Sequence, residues 1–406
     1  MKKYLFILII FLYSFTTNAQ LRELHLSDSA FISLLTCEPV DDMAYTVYGH
    51  TAVRVNDSAN GIDYVYNYGI FDFSSPNFLY RFAEGELNYK LGICRFTDFI
   101  EEYSERRSGI TEQILNLTQE EKQKITDALR INYLPENRTY LYNFLFDNCS
   151  TRSRILFEKN ISGVIEYPEI LQPTTFRTII HRCNINHRWL TFGIDLALGA
   201  PLDNRIEQNL QLFLPEYLMQ VFGCAKIVQP NGEVKNLVIE TRRLAPSYPI
   251  IEEPLDSNPS VISWLFFLVV MLITFGEKRC KKYFRILDFV LFFAYGLTGC
   301  LLFFLSFISI HPAVFPNFSI IWAHPLHIIL SVSLFVKPLK MFVKYYMQAN
   351  GIILLFFILG WSFFPQEFNV AFFPLVLTLC IRSLWNTVKK NRLVFWGTTK
   401  RRFNCF

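Results

Sequence analysis

From Asn258 to its end, the 406-residue chain is a succession of apolar runs separated by short loops, and this limits the fold more than any other feature. A run of about 20 apolar residues can cross the hydrocarbon core of a bilayer. No water is available there for a backbone N–H or C=O, so a span of this kind is a helix. The runs predict about five helices, at 262–275, 286–310, 319–336, 345–364 and 368–384, the first and last short enough to need their flanks. Charge orients them. Segment 277–285 holds Lys278, Arg279, Lys281, Lys282 and Arg285, segment 337–344 holds Lys337, Lys340 and Lys344, and the tail holds Lys389, Lys390, Arg392, Lys400, Arg401 and Arg402. The alternate loops, 311–317 and 365–369, hold no Lys or Arg. Basic loops stay cytoplasmic, which leaves the C-terminus inside and sends the other loops, with everything before residue 259, outward.

The N-terminus predicts the same orientation independently. Met1-Lys2-Lys3, an apolar stretch from Tyr4 to Phe15 and the small residues before Ala19 read as a signal peptide over 1–19. No Cys follows the apolar run, so the chain is not expected to be a lipoprotein itself. The reading is therefore an extracytoplasmic domain over 20–258 and a transmembrane region with a basic tail over 259–406. Only 18% of residues are charged, against about 25% in soluble chains. The net charge of +4 arises between apolar runs, which fits lipid headgroups and not nucleic acid.

Five cysteines fall in the outer domain: Cys37, Cys94, Cys149, Cys183 and Cys224. An oxidising compartment permits disulfides, but an odd number leaves at least one thiol free. None has metal-ligand spacing, so no metal or other cofactor is expected.

Two segments carry candidate chemistry. Residues 48–55 and 62–69 are β-prone stretches flanking an Asn-Asp-Ser-Ala-Asn-Gly cluster, which predicts a hairpin. A turn centred between Ser58 and Ala59 sets His50 opposite Asn67, on one face. An amide beside an imidazole is what orients the histidine of Cys-His-Asn enzymes; the plainer alternative is a histidine that only packs. In the second segment an aromatic run ends at Asp147-Asn148, and a helical pattern begins just past Cys149. A thiol at a helix N-terminus, with Arg152 and Arg154 close by, is expected to ionise easily. The alternative is a half-buried structural cysteine. In the membrane half, Trp322 to His327 reads as an interfacial belt with a proline kink, and Arg382 as a side chain that snorkels to the interface.

Taken together, three stretches resemble the Lnb-type N-terminal periplasmic domain family. They are Gly49-His50-Thr51-Ala52-Val53-Arg54, Tyr66-Asn67-Tyr68-Gly69-Ile70-Phe71-Asp72-Phe73 and Asp147-Asn148-Cys149-Ser150-Thr151-Arg152. Leu115-Asn116-Leu117-Thr118, before a Glu-rich helix start, also fits. The resemblance covers roughly residues 25–240, and a several-helix membrane region fits it too. It implies an α+β domain with a permuted papain-like fold, of the NlpC and lecithin:retinol acyltransferase type, ahead of an α-helical membrane bundle. It implies a lipoprotein N-acyltransferase in the bacterial inner membrane, with the N-terminal domain in the periplasm. A phospholipid is then the acyl donor and the N-terminal amine of a lipoprotein the acceptor. Cys149 would be the nucleophile, His50 the base and Asn67 the orienting residue, with Asp72 an alternative third member. Tyr48 is a candidate oxyanion-side hydroxyl, and Asn148 and Arg54 are candidate supporting residues. The rival readings are a cell-wall cysteine peptidase or amidase and a non-enzymatic envelope module.

Overall fold

The computed structural model describes residues 24–41, 43, 45–71, 76–248, 258–280 and 282–388. The predicted signal peptide, Asp72 and the basic residues of the tail lie outside them. The main sheet of the outer domain has seven strands: β1 (Phe31–Cys37), β2 (His50–Asp57), β3 (Ile62–Phe71), β4 (Asn88–Arg95), β5 (Ile110–Leu115), β6 (Thr139–Leu141) and β7 (Val238–Ala245). They pair antiparallel in the order β7-β5-β1-β2-β3-β4-β6. The outer domain's helices used below are α1 (Phe78–Glu84), α2 (Phe96–Glu105), α3 (Gln119–Tyr133), α4 (Cys149–Asn160), α5 (Phe176–Cys183), α6 (Arg188–Ala197) and α7 (Pro215–Cys224).

The central strands are apolar on both sides because both sides are covered. Leu35, Cys37, Ala52 and Val65 face Phe99 and Tyr103, which lie one turn apart on α2. Ile32, Leu34, Val53, Val55 and Tyr66 form the other face, where Leu156 and Phe157 of α4 and Phe222 of α7 pack. Strands buried on two faces lose the clean in-out alternation of a half-exposed sheet.

The hairpin forms with a different register from the one predicted. Ser58–Asn60 is a 3-10 turn closed by Gly61 in the left-handed region (φ 66°). The pairs run Val53↔Tyr66 to Asp57↔Ile62. That slides His50 two residues along its partner, making Asn67 a diagonal neighbour. A two-residue slip keeps both side chains on the same face, whereas a one-residue slip would separate them.

The membrane region contains α8 (Pro259–Cys280), α9 (Arg285–Phe307), α10 (Leu326–Ser333), α11 (Lys340–Leu359) and α12 (Phe372–Val388). Among the described residues, three segments are long and apolar enough to cross a bilayer, Pro259–Cys280, Arg285–Phe307 and Lys337–Leu359. The predicted helix at 319–336 is broken. A 3-10 turn, Phe318–Ile321, is followed by a separate helix from Leu326, because Pro325 lacks an N–H and pushes His324 out of helical conformation. Two of the side chains predicted for an interfacial belt are interior instead: Trp322 is 2% exposed and His327 fully buried, hydrogen-bonded to Tyr346 Oη at 2.8 Å, whereas Leu326 between them is exposed.

Arg382 does not snorkel. It is fully buried between α8 and α9, with Nε 2.7 Å from Asp288 Oδ1 and Nη1 3.0 Å from Glu277 Oε2, both carboxylates also fully buried. Nη1 also donates to Thr274 Oγ1 at 2.8 Å. Charges inside a bilayer persist by pairing with one another. Arg382→Met is therefore expected to strand two buried carboxylates at a cost of about 3–5 kcal/mol. A wild-type thermal midpoint for that variant in detergent would contradict the pairing.

Both loops that lack Lys and Arg meet the outer domain. Gly199 N–H donates to Ala313 O at 2.7 Å and Ala200 N–H to Pro316 O at 2.9 Å. A Cβ on Gly199 would collide with the Pro316 backbone. From the other loop, Asn369 Nδ2 donates to Asp195 Oδ2 at 2.9 Å, and Asp195 is held from behind by Arg177 at 2.7 Å. Phe192 of α6 packs on Phe372 of α12, centroids 5.0 Å apart. The outer domain thus sits directly on one end of the membrane helices.

Candidate active site

Asn148 is the N-cap of α4, and the sequence dictates it: an Asx residue followed three positions later by a hydroxyl forms a capping box. Its Oδ1 accepts from Ser150 N–H at 2.9 Å and Thr151 N–H at 3.0 Å, while its own N–H donates to Thr151 Oγ1 at 2.7 Å. Its Nδ2 donates to the carbonyls of Phe144 and Phe213. Asn148 therefore positions the helix start, and Cys149 is the first helical residue.

His50 opens β2. Gly49 before it has φ 74°, and a Cβ there would stand 2.6 Å from Cys37 O, so only glycine lets the chain enter the strand this closely. The helix start and the strand start are tied together by Thr51 Oγ1 and Ser150 Oγ, 2.9 Å apart and buried. The tie sets the Cys149 thiol beside the His50 ring, close enough for each to shift the other's pKa. Asn67 Oδ1 lies 3.2 Å from His50 Nε2, leaving Nδ1 as the ring nitrogen for the thiol. Asn67 Nδ2 donates to Cys94 Sγ at 3.4 Å, which fixes which end of the amide faces the histidine. Tyr103 stacks on the imidazole, 12° from parallel with centroids 6.1 Å apart.

The electrostatics are those of an ion pair. Burial pushes the Cys149 thiol up, but the His50 charge and hydrogen bond, the Thr51 N–H and the Ser150 hydroxyl outweigh it and hold the pKa below the ordinary thiol value. Burial pushes His50 down, but the facing thiolate and Asn67 raise it above the ordinary imidazole value against the opposing charge of Arg106. At the neighbouring thiols burial outweighs the partners they have, the Arg106 charge for Cys37 and the Asn67 amide for Cys94. Burial holds Cys37 well above the usual range, and Cys94 is pushed up to about 11.

Several expected contributors stand elsewhere. Arg152 forms a two-pronged pair with Asp147 at 2.6 and 2.7 Å over the Tyr140 ring, and Arg154 reaches Asn209 O and Glu158. Neither sustains the thiolate, which rests on His50. Arg54 is buried in a network with Asp63 at 2.7 Å and Glu112 at 2.9 Å, against the Phe96 ring, and supports the sheet. The Tyr48 hydroxyl accepts from Asn184 Nδ2 at 3.0 Å, and burial raises its pKa to about 12. Thr51, Ser150, Cys94 and Tyr103 were not singled out from the sequence. Cys94 had a signal in the sheet register, since it pairs with Val65, two residues from Asn67 on the same face.

Residues 16–182 match the family described as the Lnb N-terminal periplasmic domain, and residues 251–392 match the Lnb transmembrane domain. The chain belongs to the Lnb family. It is a membrane protein with a periplasmic N-terminal domain and a transmembrane domain. No curated protein and no solved structure matches it.

In this Lnb chain the charge pairing of Cys149 and His50 makes a direct prediction. Alkylation of Cys149 by iodoacetamide is expected to stay fast below the ordinary thiol range and to fall only as pH drops through the lowered thiol pKa. In His50→Ala, burial remains without its counter-charge, so the inflection should move above the free-thiol value of about 8.5. Rates are read against a Cys149→Ser background, which subtracts the exposed Cys224. The same inflection in both proteins would contradict the ion pair.

Proposed function

We propose that this protein is a lipoprotein N-acyltransferase of the bacterial inner membrane, working through an acyl-thioester on Cys149. The observation that carries the reading is a thiol paired with an amide-held imidazole at a helix start, on a domain seated directly against membrane helices. A cysteine at a helix start served by a histidine on the adjoining sheet is also the arrangement of permuted papain-like folds, which supports assigning the domain to them.

The Cys149 thiolate attacks the ester carbonyl of a phospholipid, and the negative charge passes to the carbonyl oxygen. The N–H of Cys149 itself, one of the orphan donors of the first helical turn, is not among those taken by Asn148 and is suited to receive that oxygen. His50 gives its proton to the departing glycerol oxygen, which leaves as a lysophospholipid, and a thioester remains. The α-amine of a lipoprotein's lipidated N-terminus then attacks the thioester. His50 takes the amine proton, the amide forms and the thiolate is regenerated. Asn67 keeps Nδ1 aimed at the sulfur throughout. Fixing the site to the bilayer presents it to two substrates that never leave the membrane.

Mass spectrometry of a lipoprotein N-terminus from cells with and without the protein tests this. An N-linked acyl chain that depends on the protein is the expected result. An unchanged N-terminus, together with cleavage of purified peptidoglycan, would replace acyl transfer with a cysteine peptidase. Orientation has its own test. A reporter active only in the cytoplasm should work when fused after Arg285 and be silent after Pro316; the reverse would remove the site from the periplasm.

A further inference from the structure

The helix α1 exposes two large aromatic rings. Tyr80 is 53% exposed and Phe82 47% exposed. Two positions apart on a helix, the rings point to different sides of it, and the surroundings of α1 identify the surface it meets. The Tyr80 ring lies 6.1 Å from that of Phe304. Phe304 is three residues inside the outer end of α9, about 4.5 Å below it at the helical rise. Tyr80 therefore reaches past the mouth of a membrane-crossing helix. The exposed apolar surface continues through Phe307 at the end of that helix and through Ile310 and Phe315 in the loop after it, each more than half exposed.

The helix is fastened there. Ile310 N–H donates to Glu84 O at 2.8 Å, Ser309 Oγ donates to the same carbonyl at 3.1 Å, and His311 Nε2 donates to Phe82 O at 2.6 Å. The link continues inward. The His311 ring stands 6.4 Å from that of Phe144, whose carbonyl receives the amide of Asn148, the residue that caps Cys149. Aromatic side chains thus run from the membrane end of α9 to the nucleophile's helix.

We propose that α1 is an interfacial foot, inserted with Tyr80 and Phe82 among the acyl chains of the outer leaflet, and that it guides a phospholipid acyl chain toward Cys149. An aromatic ring at this depth is stable because its apolar body enters the hydrocarbon while polar groups remain at the headgroups. The foot rests on geometry; its guiding role rests on the acyl-transfer reading above.

Two measurements on the full chain in nanodiscs of long-chain phosphatidylglycerol and phosphatidylethanolamine separate the two claims. p-Benzoylphenylalanine placed at position 82 should capture phospholipid on irradiation, while the same group at exposed Ile131 of α3 should not. No capture at 82, or equal capture at 131, overturns the foot whatever the enzyme does. Tyr80→Ser/Phe82→Ser should then lower labelling of Cys149 by radiolabelled phospholipid at least about tenfold, as expected from removing two apolar anchors. The alkylation rate of Cys149, which needs no lipid, reports whether the site is intact. Lipid capture with undiminished labelling in the double variant overturns the guiding role. Lipid capture with no labelling even of the wild-type protein overturns the acyl-transfer reading and the guiding role with it, while the foot stands.

Discussion

Cys149→Ser is expected to abolish acyl transfer to a lipopeptide, by at least about 10⁴-fold, the scale on which a covalent catalyst depends on its nucleophile. Serine fills nearly the same space at a site that is only 9% exposed. Its Oγ can keep the hydrogen bond to His50, so the domain should melt within a few degrees of the wild type. What it cannot do is ionise. The forces that pull the thiol below its ordinary pKa, chiefly one imidazolium and two hydrogen bonds, are far too small to make an alkoxide from an alcohol. A folded Cys149→Ser protein with wild-type turnover would leave the cysteine a structural role only.

His50→Ala should be nearly as damaging, because it removes two things at once. The proton shuttle is worth about 10²–10⁴-fold, and without the positive ring the buried thiol no longer ionises at neutral pH. Asn67→Ala should be milder, since the imidazole keeps its stacking on Tyr103 and loses only the 3.2 Å contact that turns it. A larger loss for Asn67→Ala than for His50→Ala would mean that the amide acts on substrate directly.

Local chemistry made part of this site legible in the sequence. Asn148 to Thr151 form a cap by themselves, so the place of Cys149 at a helix start follows from four adjacent residues. The partnership of His50 and Asn67 also emerged, although the turn was misjudged. The left-handed Gly61 lengthened the loop, and the error came to two residues, which the two-residue period of a strand forgives. The role expected of Arg152 failed for a local reason. Asp147, five residues earlier, offers a two-pronged carboxylate at 2.6 Å, a stronger claim on a guanidinium than a thiol has.

What could not be read was non-local. The bond between Thr51 and Ser150 that clamps helix to strand joins residues 99 apart in the chain. The partners of Arg382 lie 94 and 105 residues before it. Neither pairing leaves a trace in spacing or periodicity, and each needs the packed fold to exist. The extent of the third membrane helix was misread for a different reason: hydropathy sees an apolar run across 319–336 but not that Pro325 divides it.

The central claim is that Cys149 carries the acyl group, and covalent capture tests it most directly. The full-length protein in nanodiscs, given phospholipid radiolabelled in its acyl chain and no acceptor, should retain the label through denaturation and release it to neutral hydroxylamine, as a thioester does. Cys149→Ser should retain none, and adding a lipopeptide should move the label from the wild-type protein onto the peptide amine. Label that stays on Cys149→Ser in equal amount, or that never joins the wild-type protein while the lipopeptide is still acylated, would contradict a thioester on Cys149.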